Sequence, residues 1–235
     1  MSGSGTPRVG VVVFPGSQDD WDAQLALDAL GAATVRVWHA EPELPDVGAV
    51  VLPGGFSYGD YLRCGAIARF SPVMQAVRRF AGEGGLVVGI CNGFQILCEA
   101  GLVPGVLLAN ASLSYVCRDV ALRVEHANTP FTSRCVDGQR LVMPVKHGEG
   151  RWFVDDGLLA ELEAAGQIVL RYDSDNPNGS VADVACVCNA DRNVFGLMPH
   201  PEHAVDELLG SADGRLLLGS LLDSVHDRLS TAAAV

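Results

Sequence analysis

The sequence predicts a single α/β domain with a largely parallel, twisted β-sheet, helices on both faces and some antiparallel strands in its C-terminal half. In the first half of the chain, β-branched runs alternate with segments whose apolar residues recur at helical spacing, which is typical of a parallel sheet covered on both sides. In the second half, apolar runs follow one another between Gly, Asn, Asp and Pro turns, which indicates antiparallel pairing. Hydrophobic residues make up 49% of the chain and charged residues 19%, so we expect a well-buried core.

The length and charge of the chain exclude several classes of protein. A chain of 235 residues can form one large core or two small domains, and we expect one domain over residues 8–229, with a flexible leader at 1–7 and a frayed tail at 230–235. The formal net charge is −12 without any block of Lys or Arg, so the electrostatic footprint of a nucleic-acid-binding protein is missing. No apolar run reaches the roughly 18 residues that a membrane span requires. The leader has no apolar stretch of signal-peptide length, and the seven cysteines show no paired spacing, so we expect a cytosolic protein.

The first third of the chain is predicted to be a strand, a helix and two strands. Residues 8–14 form a β-branched run that ends at a Pro-Gly-Ser turn, and residues 19–30 place apolar side chains at helical spacing as far as Gly31. Residues 33–38 are predicted as a second strand and residues 49–52 as a third, which leads into Pro-Gly-Gly. Ligands of such sheets bind beyond the carboxyl ends of the strands, where this glycine pair falls.

The next strand and helix meet at a Gly-x-Cys-x-Gly turn. A helix at 74–81 is stopped by glycines, and a strand at 86–88 then leads to Cys91. Because Gly89 and Gly93 lack a Cβ atom, strand and helix can approach closely while the cysteine adopts an unfavourable backbone conformation, as in a nucleophile elbow. The positive end of the following helix favours the thiolate. This pattern predicts a catalytic nucleophile, and the alternative is a small buried cysteine without chemistry.

The second half is predicted to be mostly strands. These strands cover residues 115–124, 140–145, 168–172, 181–189 and 194–198, and closing helices cover 204–209 and 215–228. Cys186 and Cys188 fall within one of these strands, and we interpret them as structural. The sequence therefore predicts no metal site.

A cysteine nucleophile needs a base and a group that orients the base. Of the six histidines, His200 follows an apolar run as Cys91 does, so it is expected to emerge at a sheet edge. Pro199 and Pro201 hold it in an extended segment, and Glu202 follows two residues later. The pair could orient the imidazole. The alternative is a solvated loop histidine beside a surface glutamate.

These motifs resemble those of a known enzyme class. Gly-Ile-Cys-Asn-Gly-Phe-Gln at residues 89–95, followed by His-Pro-Glu at residues 200–202, resembles the class I (triad) glutamine amidotransferases. Longer blocks are similar to one branch of this class, the glutaminase subunits of phosphoribosylformylglycinamidine synthase in purine biosynthesis. These blocks are residues 52–68, 144–151, 176–180 and 196–202. The resemblance runs from about residue 9 to beyond residue 222 and implies a flavodoxin-like fold.

The resemblance also implies roles for individual residues. It makes Cys91 the nucleophile, His200 the acid and base, and Glu202 the orienting carboxylate. The backbone N–H groups of Gly55 and Asn92 would form the oxyanion hole, in line with the donors of a nucleophile elbow. Two further residues, Gln95 and Gly54, would help to hold the substrate glutamine.

Two positions depart from the pattern of many relatives. After Pro-Gly-Ser this chain has Gln18, Asp19 and Asp20 where many relatives carry a cysteine, and we interpret that cysteine as dispensable. After His-Pro-Glu it has His203 where many carry arginine. A second imidazole is therefore expected near the site.

The implied reaction needs a partner. This chain would hydrolyse glutamine to glutamate and ammonia through a Cys91 thioester, without a cofactor of its own. It lacks a Gly-x-x-x-x-Gly-Lys-Ser/Thr phosphate loop, so we expect ATP and Mg to be used by a large synthase subunit, together with a small accessory subunit. The loop at 56–63, with Phe56, Tyr58 and Tyr61, is the expected interface.

Three alternatives remain open at the level of sequence. The chain could be a different amidotransferase subunit with the same triad, which the acceptor of the ammonia would distinguish. It could be a cysteine hydrolase or stress protein of similar α/β fold that acts alone, although the His-Pro-Glu and Asn-Pro-Asn-Gly-Ser blocks would then be unexplained. It could also be a binding module with an inert Cys91, which a glutamate assay would distinguish.

Overall fold

A computed structural model describes residues 5–232, so residues 1–4 of the expected leader and 233–235 of the expected tail lie outside the described residues. The strands are β1 (Arg8–Val13), β2 (Ala33–Trp38), β3 (Ala49–Leu52), β4 (Leu86–Ile90), β5 (Val106–Leu108), β6 (Val116–Val124), β7 (Arg140–His147), β8 (Arg151–Phe153), β9 (Ile168–Tyr172), β10 (Val184–Cys188) and β11 (Val194–Leu197). The α-helices are α1 (Asp20–Ala29), α2 (Pro72–Gly82), α3 (Asn92–Glu99), α4 (Asp156–Ala164) and α5 (Gly214–Ala232).

Nine of these strands form one sheet in the order β2-β1-β3-β4-β11-β10-β9-β6-β7. The pairs from β2 to β11 are parallel, and those from β11 to β7 are antiparallel. Every residue of β3 and β4 is buried, as expected for central parallel strands covered on both faces. The predicted fold class is therefore confirmed, including the antiparallel pairing in the C-terminal half.

The sequence prediction missed three short elements. β5 and β8 pair as a separate antiparallel ribbon, and α4 is a helix capped by Asp155, whose side chain accepts a hydrogen bond from Leu158 N. With three residues per strand, the ribbon is too short to show a period in the sequence.

The predicted boundaries near the C-terminus also need correction. In place of the expected helix at 204–209 there is one turn of 3-10 helix, Glu207–Leu209, and another such turn, Pro201–His203, precedes this segment. The last helix continues to Ala232, so residues 230–232 are helical rather than frayed. Within the described residues, no helix combines the length and the apolar character needed to cross a membrane.

Candidate active site

Cys91 occupies the sharp turn between β4 and α3. Its backbone angles are φ 51° and ψ −104°, a conformation that residues with a side chain rarely adopt. The flanking glycines permit this turn, since a Cβ atom on Gly93 would lie 1.9 Å from the carbonyl oxygen of Leu52. A Cβ atom on Gly89 would lie 2.6 Å from the carbonyl oxygen of Gly93. The strand-to-helix elbow expected from the sequence is therefore present.

His200 leaves the sheet beside the elbow. β11 runs parallel to β4, and the Cys91 N–H donates to the carbonyl oxygen of Leu197 at 2.8 Å, so both side chains emerge at the same sheet edge. Nδ1 of His200 lies 2.5 Å from Oε1 of Glu202. Both side chains are buried, so the alternative of a solvated loop histidine is wrong.

The surroundings of His200 favour its protonated form. Burial alone would lower the pKa of the imidazole, but the Glu202 carboxylate and the Cys91 sulfur raise that pKa to about 10. Nε2 of His200 makes no hydrogen bond with the described residues. This ring atom is therefore available to exchange a proton with Cys91 or with a substrate.

Two backbone N–H groups near Cys91 are unpaired. The loop after β3 is held by a bridge in which the Phe56 N–H donates to the carbonyl oxygen of Gly16 at 2.9 Å. That bridge does not use the N–H of Gly55, which has no partner among the described residues. The N–H of Asn92 is likewise unpaired because it begins a helix. These are the donors expected of an oxyanion hole, and their role stays a prediction.

A cavity of about 190 Å³ lies next to the nucleophile. Its walls come from the β3–α2 loop, the start of α3, the residue before β6 and the end of β7. The lining residues are Gly55, Phe56, Asp60, Cys64, Cys91, Gln95, Tyr115, Lys146, His147, Gly148 and Glu149. The predicted nucleophile, one predicted oxyanion donor and one predicted substrate-binding residue thus share one cavity.

The side chain of Gln95 is engaged within the protein. Its Nε2 donates to the carbonyl oxygen of Glu149 at 2.6 Å, and its Oε1 accepts from Nδ2 of Asn92 at 2.9 Å. Oδ1 of Asn92 in turn accepts from the N–H of Ser57 at 3.1 Å. Gln95 therefore joins two walls of the cavity, and its contact with substrate stays a prediction.

Gly54 packs against the imidazole and does not line the cavity. A Cβ atom at this position would lie 2.8 Å from Cε1 of His200 and 2.3 Å from Oδ2 of Asp19. The absence of a side chain is thus what lets the β3–α2 loop approach His200. The predicted contact of Gly54 with the substrate stays a prediction.

The structure adds Asp19 and Lys146, which sequence reasoning did not assign to the site, and it places them against His203, the second imidazole expected near the site. Asp19 forms an ion pair with Lys146 and lies 3.2 Å from Nε2 of His203, while its other oxygen lies 3.9 Å from Nδ1 of His200. Burial would raise the pKa of Asp19, but the hydrogen bond from His203 and the charges of His200 and Lys146 hold it well below its usual range. The backbone carbonyl of Lys146 also lies 3.8 Å from the sulfur of Cys91. Asp19 and His203 lie at the two positions where this chain departs from the pattern of many relatives. These departures were the signal in the sequence that could have pointed to the cluster.

The same cluster could be mistaken for a metal site. One ligand atom each from Asp19, His200, Glu202 and His203 lies within 4.8 Å of the others. The ammonium group of Lys146 already pairs with Asp19 and lies 3.0 Å from Nε2 of His203. A cation of the protein itself thus already pairs with one of the two carboxylates of the cluster, and the other carboxylate contacts His200.

The loop between β3 and α2 exposes only part of the aromatic surface expected from the sequence. Phe56 is 39% exposed and Tyr61 is 74% exposed. Tyr58 is half-buried instead, because its hydroxyl group hydrogen bonds with Nδ1 of His39 at 2.8 Å and with Oγ of Ser71 at 3.0 Å. Tyr58 is therefore less exposed than the sequence indicated, and the place of this loop in an interface stays a prediction.

Comparison with known proteins identifies close relatives. The family of CobB/CobQ-like glutamine amidotransferase domains matches residues 6–214 of the chain. The phosphoribosylformylglycinamidine synthase subunit PurQ of Rubrobacter xylanophilus is 58% identical over 92% of this chain and 97% of its own length. The corresponding subunit of Salinibacter ruber is 56% identical over 93% of this chain and 97% of its own length.

Solved structures with a similar fold include proteins of the same kind. A chain in the structure of PurLQS from Thermotoga maritima is 44% identical, with a TM-score of 0.86 over 93% of this chain and 99% of that chain. A glutamine amidotransferase from the same organism has a TM-score of 0.54 over 97% of this chain and 98% of that chain. At 15% identity, the second likeness concerns the fold alone.

Proposed function

This chain belongs to the family of CobB/CobQ-like glutamine amidotransferases, and we propose that Cys91, His200 and Glu202 are the triad with which it releases ammonia from glutamine. It is a glutaminase subunit of phosphoribosylformylglycinamidine synthase, since its relatives of that name are 55–58% identical to it over almost their whole length. Its ammonia serves the conversion of formylglycinamide ribonucleotide to formylglycinamidine ribonucleotide. The alternatives of a solitary hydrolase and an inert binding module are thereby set aside.

The geometry supports acyl transfer to sulfur. The Cys91 thiolate attacks the side-chain carbonyl carbon of glutamine, and the N–H groups of Gly55 and Asn92 stabilise the oxyanion. Protonated His200 then donates its proton to the leaving nitrogen, so that ammonia departs and a glutamyl thioester remains. A water molecule, deprotonated by the now neutral imidazole, cleaves the thioester to give glutamate and restores the thiolate and the imidazolium.

The observation that carries this proposal is the position of the strained Cys91 beside the buried His200–Glu202 pair. The test replaces Cys91 by Ala and, as a matched control, the exposed Cys117 by Ala. We expect the first change to abolish glutamate formation without unfolding the protein and the second to leave glutamate formation intact.

Limited alkylation near neutral pH is a second test. It should label Cys91 before the other six cysteines, and preferential labelling elsewhere would contradict the assignment.

The ATP-dependent step belongs to the partner in this proposal. The chain works in a complex with the large synthase subunit, as expected from its relatives. We assign ATP and Mg to that subunit because this sequence lacks a phosphate loop, and we include a small accessory subunit in the complex. The proposal also places the protein in the cytoplasm, since all seven cysteines are free thiols, as is usual in a reducing compartment.

A further inference from the structure

The cavity beside Cys91 contains two carboxylates that lack a cationic partner. Asp60 and Glu149 both line it, and neither forms an ion pair with the described residues. Lys146 also lines the cavity, but its ammonium group is paired with Asp19. The negative charge on this side of the cavity is therefore not neutralised by any ion pair within residues 5–232.

The two carboxylates lie close enough to affect each other and a shared neighbour. Burial and the charge of Glu149 raise the pKa of Asp60, although a hydrogen bond from Cys64 lowers it. Burial, Asp60 and Glu149 together raise the pKa of the Cys64 thiol. A second cysteine in the cavity is thus kept as a neutral thiol, and the two like charges beside it are unfavourable until a cation arrives.

Both acids are tied to the first turn of α3, which carries the nucleophile. Nδ2 of Asn92 lies 3.4 Å from Oδ1 of Asp60, and Nε2 of Gln95 donates to the backbone carbonyl of Glu149 at 2.6 Å. The cavity of about 190 Å³ has room for about six water molecules by their liquid volume, which suits one amino acid. Its charge suits an amino acid whose far end is an ammonium group.

We propose that Asp60 and Glu149 bind the α-ammonium group of glutamine and so select a free α-amino acid amide over an amide that lacks this charge. The inference rests on the proposed function, because it takes Cys91 as the atom that receives the side-chain amide. It assigns a specificity role to two residues of the cavity that contribute nothing to the acyl transfer itself.

The test compares two reagents that alkylate Cys91 in the full chain complexed with its synthase. The chloroketone analogue of L-glutamine keeps the α-amino acid group, whereas chloroacetamide has no ammonium group. In Asp60→Asn and Glu149→Gln, inactivation by the chloroketone should slow by about tenfold or more, the value of a charge-assisted hydrogen bond. Inactivation by chloroacetamide should stay within about twofold of the wild-type rate.

Substrate selectivity gives a second readout. The wild-type complex should hydrolyse glutamine far better than glutaramate, the same amide without the α-amino group, and both variants should lose most of this preference through a higher KM for glutamine. Asp119→Asn and Glu161→Gln, at exposed positions, are the matched controls and should behave as wild type.

Two results would overturn the inference: unchanged rates with the chloroketone, or equal slowing with both reagents, which would indicate a general disturbance of the site. Failure of either reagent to label Cys91 in the wild type would instead contradict the proposed function.

Discussion

His200 and His203 lie side by side, with ring centroids 5.4 Å apart, yet their contacts differ. Nδ1 of His200 is held by Glu202, which leaves Nε2 without a partner among the described residues. Nε2 of His203 instead faces Asp19 at 3.2 Å and Lys146 at 3.0 Å. Only the first imidazole combines an orienting carboxylate with a ring nitrogen that is free for proton transfer.

This difference predicts unequal effects of two alanine substitutions. His200→Ala should lower the glutaminase rate of the complex by about 10²- to 10⁴-fold, the usual contribution of a general acid and base. His203→Ala should cost less than about tenfold, because it removes a neighbour of Asp19 and no proton carrier. Steady-state rates of both variants check this. An inactive His203→Ala beside an active His200→Ala would show that the wrong imidazole was chosen.

Removal of the orienting carboxylate should change the pH dependence of the reaction. The Glu202 carboxylate raises the pKa of His200, whereas burial lowers it, so Glu202→Gln should lower this pKa. In the proposed reaction, protonated His200 releases ammonia, so activity should be present below that pKa and be lost as the pH rises through it. We expect the alkaline limb of kcat/KM to move to lower pH, with a smaller loss at neutral pH than in His200→Ala. An alkaline limb at the wild-type position would contradict this role.

At the scale of elements, the sequence was most informative where a pattern is local. The strands at 33–38, 49–52 and 168–172 have the predicted bounds, because runs rich in β-branched and other apolar residues between turn residues determine them. The elbow was equally clear, since Gly89 and Gly93 mark it in the sequence. Cys91, His200 and Glu202 could be proposed from such local motifs and from the resemblance that they support.

The cluster of Asp19, Lys146 and His203 could not be predicted in this way. Asp19 was predicted only as the first residue of a helix, and Lys146 lies on an antiparallel strand far away in the chain. Their contact depends on how the two halves of the sheet are joined, which no local period reveals. The same reason kept Asp60 and Glu149 from being recognised as neighbours of one cavity.

The close contact at the elbow predicts a stability effect. Gly93→Ala would place a Cβ atom 1.9 Å from a backbone carbonyl oxygen, so it should lower the free energy of unfolding by about 2 kcal/mol or more and disturb Cys91. Gly82→Ala, in a helix with nothing within 4 Å of the added atom, should leave that free energy unchanged or raise it by up to about 1 kcal/mol. Urea unfolding of both variants measures the difference. Equal stability would show that the elbow relaxes freely.

At the scale of the whole molecule, the cavity joins the two halves of the sheet. The parallel half supplies Cys91 at the elbow, Gln95 on α3 and the glycine-rich loop after β3. The antiparallel half supplies Tyr115 before β6, Lys146 near the end of β7 and Glu149 in the turn after β7. A small shift of the loop between β3 and α2 would therefore move Gly55, the proposed oxyanion donor, together with the part of the cavity wall that this loop forms.

The structure of this loop predicts that the isolated chain hydrolyses glutamine slowly until it docks on the synthase. Tyr58, Asp60 and Leu62 all have positive φ angles, an unfavourable backbone that persists only when its surroundings hold it. Tyr61 and Leu62 are 74% and 91% exposed, so contact with a partner can act directly on the segment that follows Gly55. Docking should then fix the Gly55 N–H beside Cys91.

We expect the rate of glutamate formation to rise by about tenfold or more when the chain is mixed with the synthase, its nucleotide and its acceptor, since one oxyanion donor contributes about 10²- to 10³-fold in other enzymes. Leu62→Ser should reduce this stimulation, whereas Leu208→Ser, at another fully exposed leucine (94%), should not. Ammonium salts should support product formation even with Cys91→Ala, because free ammonia bypasses this chain. Equal glutaminase rates with and without the synthase would show that the chain is an autonomous hydrolase and that the loop does not control the oxyanion hole.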